Sequence, residues 1–351
     1  MANILYGVHG TGHGHAVRAL TIARFFKEHN FLFISDSDGY DLLHPEFRVL
    51  KISISESPTF HHTLQYSGTV FSFFKNIPGT SRRKKTVMGV IEEFKPDVAV
   101  TDYEPFSAGL SRRLGVPCLS LDHQHIARFC SMDVPVAKRI DLLLFRLAVW
   151  IQFRKIRKHM VISFFHPEQH STKKHVKIFP PLLRQQVMER TATEGEHVLA
   201  YHGYSTTAEF HSFLRSLSHP VRSYGMNEDK TVGNVTYKKN STEHFLDDLA
   251  SCRYVVSTAG HTLLSEALYY GKPVMVFPIR NACEQFINGW YLEKNNYGLM
   301  NDAFKPSRSV LEKFEQNLAC YKRNIEKVSF CGNEEILAVL GHYFRTGEYL
   351  V

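Results

Sequence analysis

The 351-residue sequence contains no C-x-x-C pair, no apolar run long enough to cross a bilayer and no low-complexity tract. Each absence excludes a class. The six cysteines, Cys118, Cys130, Cys252, Cys283, Cys320 and Cys331, are scattered, so neither a disulfide framework nor a structural zinc site is expected. A spanning helix needs ~20 consecutive apolar residues, and none occurs. The opening MANILYGVHG lacks the basic stretch, apolar core and small-residue cleavage site of a secretory leader, which makes the cytoplasm the expected compartment. What is present is ordinary globular material, 44% hydrophobic and 22% charged, in a chain long enough for two domains. The net charge of +8 favours an anionic partner. It does not choose among a nucleotide, a nucleic acid and a membrane surface.

Short β-branched runs alternate with longer helical patterns, which predicts βα units and parallel sheets. Expected strands in the first half are Asn3–Val8, Phe31–Ser35, Val49–Ile52, Asp97–Thr101, Cys118–Leu121 and Met160–Ser163, with helices at Ala16–Glu28 and Phe106–Leu114. The run FPPLLRQQ at Phe179–Gln186 interrupts the alternation, because Pro180 and Pro181 disfavour both helix and central strand. The alternation then restarts with strands at His197–Tyr201, Val221–Tyr224, Val235–Lys238, Tyr254–Ser257 and Val274–Pro278. Helices are expected at Ala208–Leu217, Ser241–Ala250, Thr262–Tyr270, Gln285–Asn295 and Ser309–Lys327. The expected organisation is two doubly wound domains, residues 1–180 and 196–351, joined by a linker over 181–195 and separated by a cleft. The last helix is a candidate to pack back on the first domain.

Two segments carry chemistry. The first, HGTGHGHAVRALTIA from His9 to Ala23, follows a strand and opens a helix. Gly10, Gly12 and Gly14 allow a sharp turn and close approach of a ligand, and a helix start attracts an anion. The frame is not the dinucleotide fingerprint, which would place a glycine where His15 stands, and it lacks the Lys-Ser/Thr ending of a P-loop. His13 and His15 stand out. A histidine in an open turn titrates near neutrality and suits a general base; the plainer alternative is a histidine that caps or packs the turn. Glycine on both sides favours function for His15 more than for His13. Arg18 is either a solvated first-turn residue or a phosphate or acceptor contact.

The second segment is STAGHTLLSEALYYGKPVMVFPIRNACEQ, Ser257 to Gln285. A strand ending at Ser257 leads through Gly260 into a helix near Thr262. The helix start and the hydroxyls of Ser257, Thr258 and Thr262 suit a diphosphate without any metal. Glu266, one turn on, is either a carboxylate for the paired hydroxyls of a ribose or a plain helix acid. Gly271, Lys272 and Pro273 read as a structural turn.

Thr-Ala-Gly-His-Thr, then Ser-Glu-Ala-Leu, Gly-Lys-Pro and Glu-Gln, together resemble the donor-site block of GT-B glycosyltransferases. The chain is similar to the lipid II-forming N-acetylglucosaminyltransferase group, more distantly to UDP-glucuronosyl- and plant glycosyltransferases, and over nearly its whole length to prokaryotic glycosyltransferases of the same superfamily. HGTGHGHAVRAL resembles that group's glycine-rich turn, with its histidine at His15. The resemblance implies a metal-independent transferase with no cofactor beyond a nucleoside-diphosphate sugar as co-substrate. Glu266 would hold the ribose, Thr258 and the turn Gly260, His261, Thr262 and Leu263 the diphosphate, and Glu284 with Gln285 the transferred sugar. Gly12 and Gly14 are further donor-side candidates and His15 the candidate base. The sequence departs from plant relatives at Thr258 (histidine there), His261 (tryptophan) and Glu284 (aspartate), which bears on the identity of the sugar.

Asp102 and Glu104 follow a strand at its carboxyl end, where open α/β sheets bind ligands. Asp102 is either a partner or substitute for His15 or a cap of the next helix. Asp122, His123, Gln124 and His125 follow the next strand and lack a diagnostic metal spacing. His123, Glu104, His13 and Arg18 are assigned to the acceptor side. Val134–Met160 combines an apolar stretch with Lys138, Arg139, Arg154, Lys155, Arg157 and Lys158 at its ends. It is either a buried helix with a snorkelling rim or an interfacial segment drawn to anionic lipid. Phe71–Phe74 followed by Arg82–Lys85 repeats the pattern. A lipid-linked or saccharide acceptor in cell-envelope synthesis, with peripheral attachment to the inner face of the cytoplasmic membrane, follows as the expectation. Alternatives are a nucleotide-sugar epimerase, a non-catalytic nucleotide-sugar-binding subunit and, on charge alone, a nucleic-acid binder, for which no recognition module is present.

Overall fold

A computed structural model describes residues 1–52, 59–60, 63–64, 81–170, 175–202, 208–301 and 308–350. The Phe71–Phe74 stretch lies outside them, and of Arg82–Lys85 only the helical backbone is described. The chain divides into two compact units: Met1–Pro58, Tyr66–Arg184 and Gly332–Val351 form the first, and Thr59–Gln65 with Gln185–Cys331 the second.

Among the described residues the first unit's sheet has seven parallel strands in the spatial order Arg48–Lys51, Asn30–Ser35, Asn3–Val8, Val98–Asp102, Cys118–Asp122, Lys158–Ile162, Val176–Phe179. Strand order reverses between Asn3–Val8 and Val98–Asp102, paired in register Val8 to Asp102. Such a switch point opens a crevice at the carboxyl ends of the two strands. Successive side chains of a strand face opposite ways, so each strand feeds two cores. Ile4, Tyr6 and Val8 pack on one face with Ala19, Ile22 and Ala23 of the His13–Phe25 helix and with Ile336, Leu340 and Phe344 of the last helix, Asn333–Thr346. Leu5, Leu32 and Ala99 pack on the other with Ile91 and Leu110, from the helices Ser81–Phe94 and Pro105–Leu114. Burial of each such side chain contributes roughly 1.5–3 kcal/mol.

The second unit repeats the plan. Its order is Lys230–Val232, Val235–Tyr237, Val221–Tyr224, Val198–Tyr201, Tyr254–Ser257, Val274–Val276, Gly298–Met300, all parallel except the first pair. Its switch point lies between Val198–Tyr201 and Tyr254–Ser257, with Tyr201 beside Ser257.

Two expectations are corrected, and some strands were missed. The first helix begins at His13, not Ala16, because Gly12 (φ 87) takes the left-handed turn that lets the helix start immediately. The single helix expected over Ser309–Lys327 is two, Arg308–Gln316 and Leu318–Ile325. Asn317 breaks it: its side-chain Nδ2 donates to Lys313 O at 2.7 Å, the carbonyl its own backbone N–H would serve in a continuous helix. The short strands Val176–Phe179, Lys230–Val232 and Gly298–Met300 escaped the sequence pattern. Among the described residues no helix is long and apolar enough to cross a membrane.

Candidate functional site

The first unit's switch point carries a charged cluster. Asp102, the last residue of its strand and fully buried, accepts two hydrogen bonds from Arg18, from Nε to Oδ2 at 2.7 Å and from Nη2 to Oδ1 at 2.6 Å. His15 Nδ1 lies 2.7 Å from the same Oδ1. Burial alone would raise the Asp102 carboxyl, but the charges and hydrogen bonds of Arg18 and His15 hold it below its ordinary value. An ionised carboxylate only accepts, so the hydrogen of His15 sits on Nδ1. Nε2 then carries the lone pair, 3.3 Å from the Gln124 amide nitrogen. Arg18 Nη2 and His15 Nδ1, 3.1 Å apart, are two donors converging on one oxygen. Arg18 is buried rather than solvated. Burial works against its charge, and Asp102 more than offsets this, leaving the guanidinium pKa raised.

Local sequence explains the assembly. The helix starts on Gly12, so His15 and Arg18 stand on its first two turns, three residues apart and on one face. Gly10 has no room for a side chain: a Cβ there would meet the Asp36 carboxylate at 1.3 Å. Gly12 N donates to Asp38 Oδ2 at 2.9 Å. A carboxylate of the protein thus takes one donor of the turn.

The two acids after the Val98–Asp102 strand divide their work. Glu104, not Asp102, caps the following helix, accepting from Phe106 N at 2.8 Å and Ser107 N at 2.7 Å. With Pro105 in the first turn and Gly115 left-handed at the end, that helix has both its start and its stop signal in sequence. Glu104 is buried, which raises its pKa. Between them Tyr103 has φ 53, a strained value for a non-glycine residue.

His9 and Tyr103 escaped the sequence reading as neighbours of the site, their rings 5.2 and 6.5 Å from that of His15. Each directly follows a central strand at its carboxyl end, the one signal that marked them. Desolvation first, and His15 second, push His9 down to about 3, so it stays neutral at pH 7 and is a poor proton acceptor. His13 is exposed at the first helical position. His123 is buried, with Nδ1 donating to Ile162 O at 2.7 Å. Asp122 and His125 form a separate buried pair, Oδ2 to Nδ1 at 2.7 Å, beside the His159 ring. Among the described residues no group of three or more His, Cys, Asp or Glu is placed to hold a metal ion.

The second unit's switch point is built differently. Tyr254–Ser257 ends in a turn, and the His261–Tyr269 helix begins on Gly260 as N-cap, with no side-chain cap and no acid in its first turn. Asn288, fully buried, donates from Nδ2 to Ala259 O at 2.9 Å and ties the Cys283–Lys294 helix to that turn. Thr258, Thr262 and Leu263 are partly exposed around the helix start, while His261 is buried. Glu266 is 2% exposed, unlike a plain surface acid. Gln285 accepts from Ile279 N at 3.0 Å, fixing the loop that contains left-handed Asn281. Glu284 stands in the first turn of its helix, partly exposed. The structure thus groups Thr258, Gly260–Leu263, Glu266, Glu284 and Gln285 in the second unit, and His15, Arg18 and Asp102 in the first. Gly12 and Gly14 belong to the first unit, with His15.

Residues 2–319 match the model of glycosyl transferase family 1. No curated protein matches the sequence significantly. Among solved structures, the chain is similar to the glycotransferase of kitacinnamycin, at 13% identity and TM-score 0.68 over 97% of this chain and 98% of that one. It is also similar to CalG4, the calicheamicin glycosyltransferase, at 15% identity and TM-score 0.65 over 98% and 99%. A third is the Medicago truncatula protein UGT71G1 complexed with UDP-glucose, at 13% identity and TM-score 0.65 over 98% of both chains. The fold is α/β with GT-B architecture, built of two Rossmann-like units, and the chain belongs to glycosyl transferase family 1.

Proposed function

We propose that this glycosyl transferase family 1 member moves a hexosyl or N-acetylhexosaminyl group from a UDP-linked donor to a hydroxyl of a lipid-linked or saccharide acceptor in cell-envelope glycan synthesis. The work is done in the cytoplasm or on the inner face of its membrane. The observation that carries the reading is the His15–Asp102 pair: an imidazole whose Nδ1 is held at 2.7 Å by an ionised carboxylate at the end of a central strand, leaving Nε2 as a proton acceptor. In this reading Nε2 takes the proton of the acceptor hydroxyl as that oxygen bonds the sugar's anomeric carbon. The bond from that carbon to the diphosphate breaks, and the diphosphate leaves with the electron pair. Asp102 stabilises the imidazolium that forms.

On the donor side, backbone N–H groups at the Gly260 helix start take the charge growing on the leaving diphosphate. Thr258, Thr262 and Leu263 line that site, and the Glu266 carboxylate accepts from the ribose hydroxyls. Glu284 and Gln285 contact the sugar. These groups supply leaving-group stabilisation without calling on a metal. A structure named above was solved with UDP-glucose, which supports a uridine donor here. The acceptor side is assigned to the exposed His13, with Arg18 acting through Asp102, while the buried Glu104 and His123 shape it from beneath through their bonds to the backbone.

The test is release of free nucleotide from a panel of nucleotide sugars, with wild type, Glu266→Ala and His15→Ala. Slow donor hydrolysis that Glu266→Ala abolishes is the expected result. Interconversion of donor sugars would instead assign an epimerase. Uridine nucleotide binding without turnover, even with cell-extract acceptors, would assign a binding subunit.

A further inference from the structure

The Arg139–Phe153 helix is apolar on two sides. Leu142, Val149 and Phe153 are buried, and Phe145 packs with them against the core beneath. On the opposite side Ile140, Leu143, Leu144, Leu147, Trp150 and Ile151 are all exposed, Ile140 by 71% and Leu143 by 65%. With a 100° turn per residue these six fall in one stripe facing away from the buried set. A soluble surface rarely leaves so contiguous an apolar strip uncovered. Elsewhere among the described residues the exposed large apolar side chains occur singly or as chain ends.

Polar groups on the helix leave the stripe clear. Arg146 turns inward and donates to Ala127 O at 2.6 Å and Cys130 O at 2.9 Å. Asp141 pairs with Lys138 at 3.3 Å. Both ends of the helix are basic, with Lys138 as N-cap and Arg139 as first residue, and the exposed Arg154, Lys155 and Arg157 after it. That distribution selects the occupant. If a second copy docked helix on helix, either orientation would stack basic ends against basic ends. An anionic lipid surface complements both ends at once and covers the stripe between them. At 15 residues the helix is ~22 Å long, too short to span a bilayer and well suited to lie in its plane.

We propose that this helix is a membrane-docking element, with the six-residue stripe entering the headgroup–acyl boundary of an anionic bilayer and the two basic ends holding phosphates. It extends the reading of a lipid-linked acceptor by naming the surface that would bring the enzyme to it.

The test is flotation of the full chain with phosphatidylglycerol–phosphatidylcholine vesicles and with pure phosphatidylcholine vesicles, at low and high salt. The wild type is expected to float with the anionic vesicles at low salt, less so at high salt, with a blue shift of fluorescence that Trp150→Phe removes. The double variant Leu144→Asp, Leu147→Asp, which changes only exposed side chains, should lose at least about tenfold in vesicle binding. Nucleotide release from the donor should be unchanged in it, so failure of docking and failure of the transferase reading are told apart. Absence of low-salt flotation, or equal flotation of the double variant, would overturn the proposal. So would a lipid-free dimer that Leu144→Asp disperses, which would give the stripe to a second copy.

Discussion

At the switch point of the first sheet, a carboxylate, a guanidinium and an imidazole meet within 2.6 to 3.1 Å. At that of the second, a helix begins on a glycine with no acid in its first turn and no side-chain cap. The scaffold is nearly the same: a strand end beside a strand-order reversal, followed by a helix. What differs is where the polarity resides. In the first unit it is on side chains that depend on one another, so removing one leaves another buried without its partner. In the second it is mostly on the backbone, which substitution scarcely touches, with Glu266 as the principal exception. One site suits moving a proton, the other holding an anion.

That contrast can be broken at several points. The largest effect is expected from His15→Ala, which should lower kcat by ~10²–10⁴, the usual contribution of a general base. UDP affinity measured by calorimetry should stay within about twofold. A comparable loss of UDP affinity would mean that the two sites do not divide the work as described. Arg18→Leu strands the Asp102 carboxylate in the interior and should destabilise the protein by ~3–5 kcal/mol, read as an early denaturant midpoint. A midpoint within error of wild type would show that the cluster does not act as a unit. Glu266→Ala should weaken UDP binding by about 1.5–3 kcal/mol, the value of hydrogen bonds to a charged group, without moving the midpoint comparably. A deoxyribose donor analogue that loses nothing further in the variant would sharpen the assignment to the ribose.

The smallest effect is in pH. His159 is buried and held well below its ordinary pKa, by desolvation first and by neighbouring His125 second, against the pull of Asp122. The unfolded chain therefore binds a proton that the fold refuses. Its contribution is fully present above pH ~6.5 and is lost as pH falls below that value, at no more than about 1.4 kcal/mol per pH unit. Asp102, held low, adds its own loss only as pH falls below ~3.9, where the unfolded carboxyl takes its proton. Denaturant titrations at pH 7 and 5 should show the first decline, and His159→Gln should make it shallower, leaving the share of His9, which is held low in the same way.

Much of this was legible in sequence, and unevenly so. Buried strands such as Asn3–Val8 and Tyr254–Ser257 are short apolar runs closed by Gly, Asp or Ser, and their limits could be read to the residue. Three-residue strands such as Gly298–Met300 could not, since so short a run carries no period. His15 was marked by its glycine frame. Its pairing with Asp102 stood in sequence only as one of several alternatives, because the contact joins positions 87 residues apart, and the part of Arg18, whose bond to Asp102 spans 84 residues, was not marked. Glu104 and Asp102 were both visible as acids after a strand, but which of them caps the helix depends on the left-handed turn at Tyr103, and no residue type there announces it. The stripe on Arg139–Phe153 illustrates another limit. Sequence shows an apolar helix with basic ends, and only the fold shows that its core side needs just four residues.

The last helix has a consequence for how the protein can be taken apart. Asn333–Thr346 completes the core of the first unit, although 147 residues, Gln185–Cys331, stand between it and the rest of that unit. Where the chain leaves and returns, the two passages are stitched together: Gly332 N donates to Pro181 O at 2.8 Å, and Leu183 and Asn333 exchange two hydrogen bonds. In the language of gene architecture the second unit is an insertion rather than a tandem neighbour. A stop codon between Cys331 and Phe344 would damage the unit encoded first, and the inserted unit is the one that can be excised as nearly a single stretch of DNA.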